Sequence, residues 1–371
     1  MKPAYTIAHT ECSLGWGGQE IRVFTEMQAM RARGHRVLLC APAQSKIFEK
    51  AGEAGFTVFP IHDGKLRFAG TVLRLASLFR REKVQIVNPH SSRDGWLAGL
   101  AGRLAGVPLI IRSRHIEVDY PSRLLSRIAY HHLPHHVFTT SQRISEGLIQ
   151  ALSLAPSRVT CVPTGIDLRK FNPDAVTATL HAELKLPRET PLVAMISVLR
   201  SWKGHDFLLA AAKQVIAVKP QPHFVIAGEG PRRAWIEQQI REGGLEKHVT
   251  LLGHRDDVPN LLASAQVVVL PSTAHEGIPQ IILQAQAMGK AVIGTTIGGI
   301  PEVVTDGQTG LLVAPSDAGA LAQAILRLLG DEVLAFRLGL NARQVAREEY
   351  GLDRMCERLE AVYARRLAAT V

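Results

Sequence analysis

Residues 270–289 read LPSTAHEGIPQIILQAQAMG. The apolar run Val267-Val268-Val269-Leu270 has the length and β-branched content of a buried strand, and Pro271-Ser272 stops it. A short polar loop follows. Pro279 then opens a segment whose apolar residues, Ile281, Ile282, Ala285 and Met288, fall at helical spacing. Glu276 and the backbone amides of Gly277 and Ile278 therefore stand where a strand ends and a helix begins. In an open parallel sheet ligands bind at such corners, and a helix N-terminus attracts phosphate.

The same unit recurs around this stretch. A strand over 192–198 runs into Leu199-Arg200-Ser201-Trp202-Lys203-Gly204, ahead of a helix over 207–218. Two cations on that loop suit a diphosphate; they also fit an ordinary solvated loop. A strand over 224–227 leads into Gly228-Glu229-Gly230-Pro231, and one over 249–252 into Gly253-His254-Arg255. Strands over 291–294 and 310–313 follow, then helices over 318–329, 332–345 and 350–367.

The first half alternates in the same way. Strands are expected over 5–9, 37–40, 56–60, 84–87, 107–111, 137–140 and 159–162, with helical patterns between them. Alternation at this spacing means parallel sheets covered on both faces. After the first strand comes Gly15-Trp16-Gly17-Gly18, where glycines either make a tight turn or let backbone amides approach a ligand. His90 and His115 each fall just beyond a strand end, as structural residues or as part of a site. The run His131-His132-Leu133-Pro134-His135-His136 does not read as a metal site: Pro134 breaks any helix carrying all four imidazoles, and no carboxylate or cysteine completes a set. Turn-rich residues 162–173 end the first repeat. The expected domains are 1–174, with 350–371 returning to it, and 175–349.

Composition narrows the class. The chain has 371 residues, enough for two domains, and its 20% charged and 46% apolar content is ordinary for a globular protein. The net charge of +10 is uneven: residues 1–175 carry 23 Lys+Arg against 13 Asp+Glu, whereas 176–371 carry 20 of each. A basic first half suits an anionic membrane surface or a phosphorylated acceptor, or is a solvated face. Nucleic acid is not expected, since no RRM, KH or zinc-finger signature appears and aromatics are 5%. No apolar run reaches a spanning length. The opening Met1-Lys2-Pro3 leads straight into a strand-like run without a signal peptide, and the four cysteines are scattered. A cytoplasmic protein, peripheral on the inner face of the membrane, is the expectation.

The stretch around Glu276 resembles the nucleotide-sugar signature of family 4 retaining glycosyltransferases: a glutamate, seven residues, then a second glutamate, with Gly and Pro soon after the first. Glu276, Gly277 and Pro279 match, and Gln284 replaces the second glutamate. Lys203-Gly204, the Gly228-Glu229-Gly230-Pro231 corner and Val162-Pro163-Thr164-Gly165-Ile166-Asp167 also resemble family passages. The resemblance covers nearly the whole chain. It implies the GT-B fold: α/β, two facing Rossmann-like doubly wound parallel-sheet domains with a cleft between them.

It also implies roles. Lys203 and Arg200, with the amides of Gly277 and Ile278, would stabilise a nucleoside diphosphate leaving group. Glu276 would hold sugar hydroxyls, and His115 would contact the transferred sugar, with His90 second on the acceptor side. Gly17, Gly18, Gly228, Glu229, Gly230, His254, Arg255 and Pro279 would border the donor. Gln284 can still accept a ribose hydrogen bond through its carbonyl oxygen, without the charge. No metal or cofactor is expected, since no paired acidic motif stands at a strand end. The implied activity is transfer of a sugar from a nucleoside diphosphate sugar to an acceptor hydroxyl, in lipopolysaccharide or other cell-surface glycan synthesis. A non-catalytic nucleotide-sugar-binding protein and a sugar-nucleotide epimerase of the same build remain alternatives. A dinucleotide oxidoreductase would need GxGxxG after the first strand, which is absent.

Overall fold

The computed structural model describes residues 3–61, 68–117, 123–219 and 221–368. Met1 and Lys2 of the opening stretch lie outside them, as do residues 369–371 of the segment expected to return to the first domain. The chain divides into two compact units, after Gly165 and again after Gly351.

The first unit holds a seven-stranded parallel sheet. Its strands are β1 (Thr6–Thr10), β2 (Arg36–Ala41), β3 (Thr57–Pro60), β4 (Ile86–Pro89), β5 (Leu109–Arg114), β6 (His136–Thr139) and β7 (Val159–Cys161). They lie in the order β3-β2-β1-β4-β5-β6-β7. The second unit holds six parallel strands: β8 (Leu192–Ile196), β9 (His223–Ala227), β10 (Val249–Gly253), β11 (Val267–Leu270), β12 (Ala291–Thr295) and β13 (Leu311–Val313). Their order is β10-β9-β8-β11-β12-β13. Every strand expected from the apolar runs is present, with ends shifted slightly. Parallel strands buried on both faces read as continuous apolar runs, as Val267–Leu270 does.

Each order reverses once, between β1 and β4 and between β8 and β11. Connections before that point wind over one face and those after it over the other, leaving the strand carboxyl ends open there. The registers fix what meets at the first gap: His9 pairs with Asn88 and Thr10 with Pro89. At the second, Val267 pairs with Val193.

The unit boundary falls upstream of the expected 174. Ile166 and Phe171 bury in the second unit's core, and the Ile166 amide donates to Tyr350 O at 2.8 Å. The helix Leu352–Ala368 belongs to the first unit. Its Met355, Cys356, Leu359, Val362 and Tyr363 pack with Ile7, Met27 and Phe138 under the helix Gly18–Ala32. Arg33 clamps it from outside, Nε to Glu360 Oε1 at 2.6 Å. Among the described residues no helix is long and apolar enough to cross a membrane.

Leu359 is fully buried. Leu359→Ala should lower unfolding stability by about 2–5 kcal/mol, measured as a drop in urea midpoint at constant m. A midpoint within about 0.5 kcal/mol of the parent would mean that this helix does not close the first unit's core.

Candidate functional site

In the second unit the site grows out of the β8/β11 gap. The loop after β8 makes a 3₁₀ turn, Ser201–Lys203, before the helix His205–Val218. Gly204, at φ +79°, joins the two; a Cβ there would lie 1.9 Å from Pro271 O, so only glycine lets the β8 and β11 loops touch. Trp202 O accepts from the Thr273 amide at 2.8 Å, and the Trp202 ring meets His275 edge-on at 5.7 Å. His275 takes the left-handed conformation, φ +57°, immediately before Glu276. Such strain persists only where surrounding contacts hold it.

These ties bring Lys203 and Glu276 together. Lys203 Nζ lies 2.6 Å from Glu276 Oε1, and Ser272 Oγ donates to the same oxygen at 2.6 Å. Glu276 is nearly buried, its side chain 6% exposed against 18% for Lys203. Gly298 seats it from behind: at φ +56°, a Cβ would lie 2.2 Å from Glu276 O. Arg200 is exposed and stacks over Trp202 at 5.1 Å. Pro279 caps the helix Gln280–Ala287 rather than opening it. The Gly277 and Ile278 residues are buried, yet neither amide has a hydrogen-bond partner among the described residues. Buried N–H groups rarely stay unpaired. An ammonium held on one carboxylate next to two such amides can receive an anionic group that also presents hydroxyls.

In the first unit a row of three imidazoles starts at the β1/β4 gap, His9 stacked on His90 and His115 tilted by 33° against it. His9 Nδ1 lies 2.8 Å from His90 Nε2, and His90 Nδ1 lies 3.0 Å from His115 Nε2. His9 is the last residue but one of β1, His90 follows β4 and His115 follows β5. All three are buried. Burial pushes His9 down to about 3. It holds His90 and His115 well below the usual imidazole range, with further lowering from charged neighbours that include Arg22. Neutral rings each have one donor and one acceptor, so the protons must all point the same way along the row. His9 Nε2 has no partner. An orphaned lone pair costs less than an orphaned N–H, which assigns the donor direction from His9 through His90 and leaves the His115 Nδ1–H at the end of the row.

Two carboxyl groups flank the row. Asp94 accepts from Thr10 Oγ1 at 3.0 Å and from the His90 amide at 2.9 Å. Glu11 accepts from the Ser13 amide at 2.9 Å and Gln19 Nε2 at 2.5 Å. Burial, then the charge of Asp94, raises Glu11; burial raises Asp94. Arg22 donates to Val162 O at 2.8 Å and Thr164 Oγ1 at 2.9 Å, fixing the helix Gly18–Ala32 to the far end of β7.

The expected residues are placed as follows. Lys203, Glu276, Gly277 and Ile278 come together, with Arg200 beside them on the same loop. His90 and His115 come together. Gly228 donates to Gly253 O at 2.7 Å and Glu229 O accepts from the Leu199 amide at 2.9 Å, tying the Gly228–Gly230 corner to the Lys203 loop. The Gly17 amide is taken by Glu20 Oε2 at 2.8 Å, a helix cap. A Cβ on Gly18 would meet nothing within 4 Å. Arg255 is engaged by Asp257, at 2.7 Å, and by Glu183, and His254 is exposed beside Asp256. Gln284 is half-buried without a side-chain hydrogen bond among the described residues. His9, Glu11, Asp94 and Ser272 were not anticipated. Among the described residues no three His, Cys, Asp or Glu side chains are grouped to hold a metal ion.

Gly298→Ala should cost about 1–3 kcal/mol in urea unfolding by pushing on Glu276, whereas Gly18→Ala should stay within about 0.5 kcal/mol; equal effects would mean Gly298 does not seat Glu276. The buried imidazoles set an acid limit. Each binds its proton at about 6.5 when unfolded, but His9 does so only near 3 and His205 near 4 when folded. The unfolded chain therefore takes up more protons below pH 6.5, and stability falls on acidification. Glu26, pushed up to about 7 by burial, opposes this, as do Glu11 and Asp94. The lowered histidines outnumber the raised carboxyls, so the thermal midpoint should drop from pH 7 to pH 5. A flat or rising midpoint would mean the row is not neutral.

Comparison with known proteins fits this geometry. Residues 16–170 match the glycosyltransferase family 4 pattern, and residues 190–331 match that of glycosyl transferases group 1. UDP-Gal:alpha-D-GlcNAc-diphosphoundecaprenol alpha-1,3-galactosyltransferase of Escherichia coli is 29% identical over 305 residues, spanning 79% of this chain and 78% of its own. Alpha-D-kanosaminyltransferase of Streptomyces kanamyceticus is 27% identical over 381 residues, 92% of this chain and 98% of its own. Anabaena Alr3699/HepE, solved with UDP and glucose, shares the fold, with a TM-score of 0.86 at 22% identity over 97% of this chain and 100% of that one. The two family patterns together span most of the chain, and it belongs to the group 1, family 4 glycosyltransferases.

Proposed function

We propose that the enzyme moves a glycosyl group, with retention, from a nucleoside diphosphate sugar to a hydroxyl of a lipid-linked or cell-surface glycan. The observation that carries this is the Lys203–Glu276 contact beside two unpartnered amides at the β8/β11 gap. As the bond from the anomeric carbon to the phosphate oxygen breaks, the electron pair stays on the diphosphate. Lys203, Arg200 and the amides of Gly277 and Ile278 stabilise that charge. The acceptor oxygen bonds the anomeric carbon on the face the diphosphate leaves, and its proton passes to a diphosphate oxygen. Glu276 gives up part of its hold on Lys203 and accepts hydrogen bonds from sugar hydroxyls, while Ser272 keeps it aimed. His115 offers its Nδ1–H to the transferred sugar, as the family resemblance implies. Gln284 accepts a ribose hydroxyl through its carbonyl oxygen.

The side chains supply positive charge themselves, so no metal is needed in this reading. The E. coli relative's lipid-linked substrate and the basic first half support work at an anionic inner membrane surface.

A thermal-shift and hydrolysis screen against UDP-, GDP- and ADP-sugars, with and without EDTA, tests the reading. One donor should raise the midpoint and release its nucleoside diphosphate slowly and EDTA-insensitively. Lys203→Gln should cut turnover by about 10²–10³-fold, and His254→Ala should leave it within a few fold. No stabilisation by any nucleotide sugar, or turnover abolished by EDTA, would overturn it.

A further inference from the structure

The run His131-His132-Leu133-Pro134-His135-His136 plays no part in the site above, yet it is built into a definite structure. It forms the end of a π-helical turn, Ile128–His132, and the start of β6. Its imidazoles part instead of converging. His131 Nε2 donates to Leu152 O at 2.8 Å. His136 Nε2 bonds Thr160 Oγ1 at 2.8 Å, and its Nδ1 accepts from Arg366 Nε at 3.1 Å. His135 Nδ1 accepts the Ile110 amide at 2.9 Å, which puts the ring's own proton on Nε2.

Three arginines gather around them: Arg103 from the helix Ser92–Ala105, Arg158 from the 3₁₀ turn Pro156–Arg158, and Arg366 from the helix Leu352–Ala368. With Leu109, His131, Pro134 and His135 they line an open pocket of about 390 Å³. Leu109 begins β5, His135 precedes β6 and Arg158 precedes β7. The pocket therefore lies at the amino edge of these strands, opposite the carboxyl edge that carries His90 and His115.

Each arginine spends part of its fork on the fold. Arg103 Nε donates to Leu133 O at 2.9 Å, and Arg158 Nη2 donates to Pro134 O at 2.7 Å. No carboxylate among the described residues pairs with Arg103 or Arg158. The cations depress one another: burial first, then Arg366 and Arg103, lower Arg158. Burial and then the same three arginines push His135 down to about 4. Two like charges such as Arg103 and Arg158, held in one depression with no carboxylate paired to either among the described residues, are costly. Guanidinium forks and an imidazole N–H match the oxygens of a phosphate, which removes that cost.

We propose that this pocket binds a phosphate- or diphosphate-bearing ligand, at a site separate from the candidate catalytic one. Arg103 and Arg158 supply the charge, His135 Nε2–H a directed hydrogen bond, and Leu109 and Pro134 an apolar wall.

The test is calorimetric titration of the full chain with inorganic pyrophosphate in a Lys203→Gln background, which silences the proposed donor site. Binding should persist there, fall at least about tenfold with Arg103→Gln and hold within about threefold with Arg103→Lys, which keeps the cation. No binding in the Lys203→Gln protein, or equal affinity in both Arg103 variants, would overturn the proposal whatever the fate of the transferase reading. Flotation with phosphatidic acid vesicles separates the sources. Vesicle binding abolished by both Arg103→Gln and excess pyrophosphate makes the ligand a lipid headgroup; pyrophosphate binding without vesicle binding makes it a soluble phosphate; vesicle binding indifferent to Arg103 places the membrane contact elsewhere and overturns a headgroup role.

Discussion

The constraint on which both halves of this chain depend is the single reversal in each parallel sheet. A right-twisted strand followed by a helix returns to its sheet with one hand. Strands added on either side of β1 or β8 therefore send their helices to opposite faces. The carboxyl ends of β1 and β4, and of β8 and β11, are left uncovered. Each unit keeps buried polar groups at its own gap. His9, Glu11, His90 and Asp94 come from the first, and Lys203, Ser272 and Glu276 from the second. The fold does not create the chemistry, but it decides which loops can touch.

Those gaps hold polar groups that burial penalises, and the two gaps handle this differently. In the first, burial holds the three imidazoles toward the neutral form and they bond one another, leaving His9 Nε2 and the side-chain nitrogen of Asn88 across the gap without partners. In the second, a full ion pair is kept, with Ser272 adding a hydrogen bond to the carboxylate. A buried pair gains little over two solvated ions unless its geometry is close and its remaining lone pairs are filled. Lys203 and Glu276 meet the first condition and not all of the second. In the proposed reading the pair exchanges partners: an incoming anion would take Lys203 and an incoming hydroxyl would fill Glu276, with each protein charge re-partnered rather than stranded.

Much of this was legible in the chain. Val267–Leu270 reads as a strand because a doubly covered parallel strand has no polar face to interrupt its apolar run. Glu276 and Lys203 are legible because each sits on a loop between such a run and a helical pattern. His9 and Glu11 were not. Their importance comes from the register of β1 against β4, which brings His9 beside His90 across some eighty residues of sequence. Ser272 reads as a strand stop, and only the fold of the loop turns its hydroxyl to Glu276. Residues 162–173 read as a turn-rich end to the first repeat, whereas Ile166 and Phe171 are core residues of the second unit, which only the packing shows. Arg255 illustrates the reverse: as sequence it is an available cation, but Glu183 and Asp257 occupy its fork.

The basic pocket carries this reasoning to its end. Arg103, Leu109, His135, Arg158 and Arg366 have no common motif, and the last is separated from the first by most of the chain. What unites them is the amino edge of β5, β6 and β7 and the return of the last helix to the first unit. A run of histidines in sequence suggests metal because spacing alone implies convergence. In the fold, Pro134 ends the turn and each ring is drawn to a different backbone or side-chain partner. Convergence belongs instead to the arginines, whose long stems reach the same depression from three elements. Arg103 and Arg158 give only part of their forks to carbonyl oxygens there, and the donors that remain suit an anion.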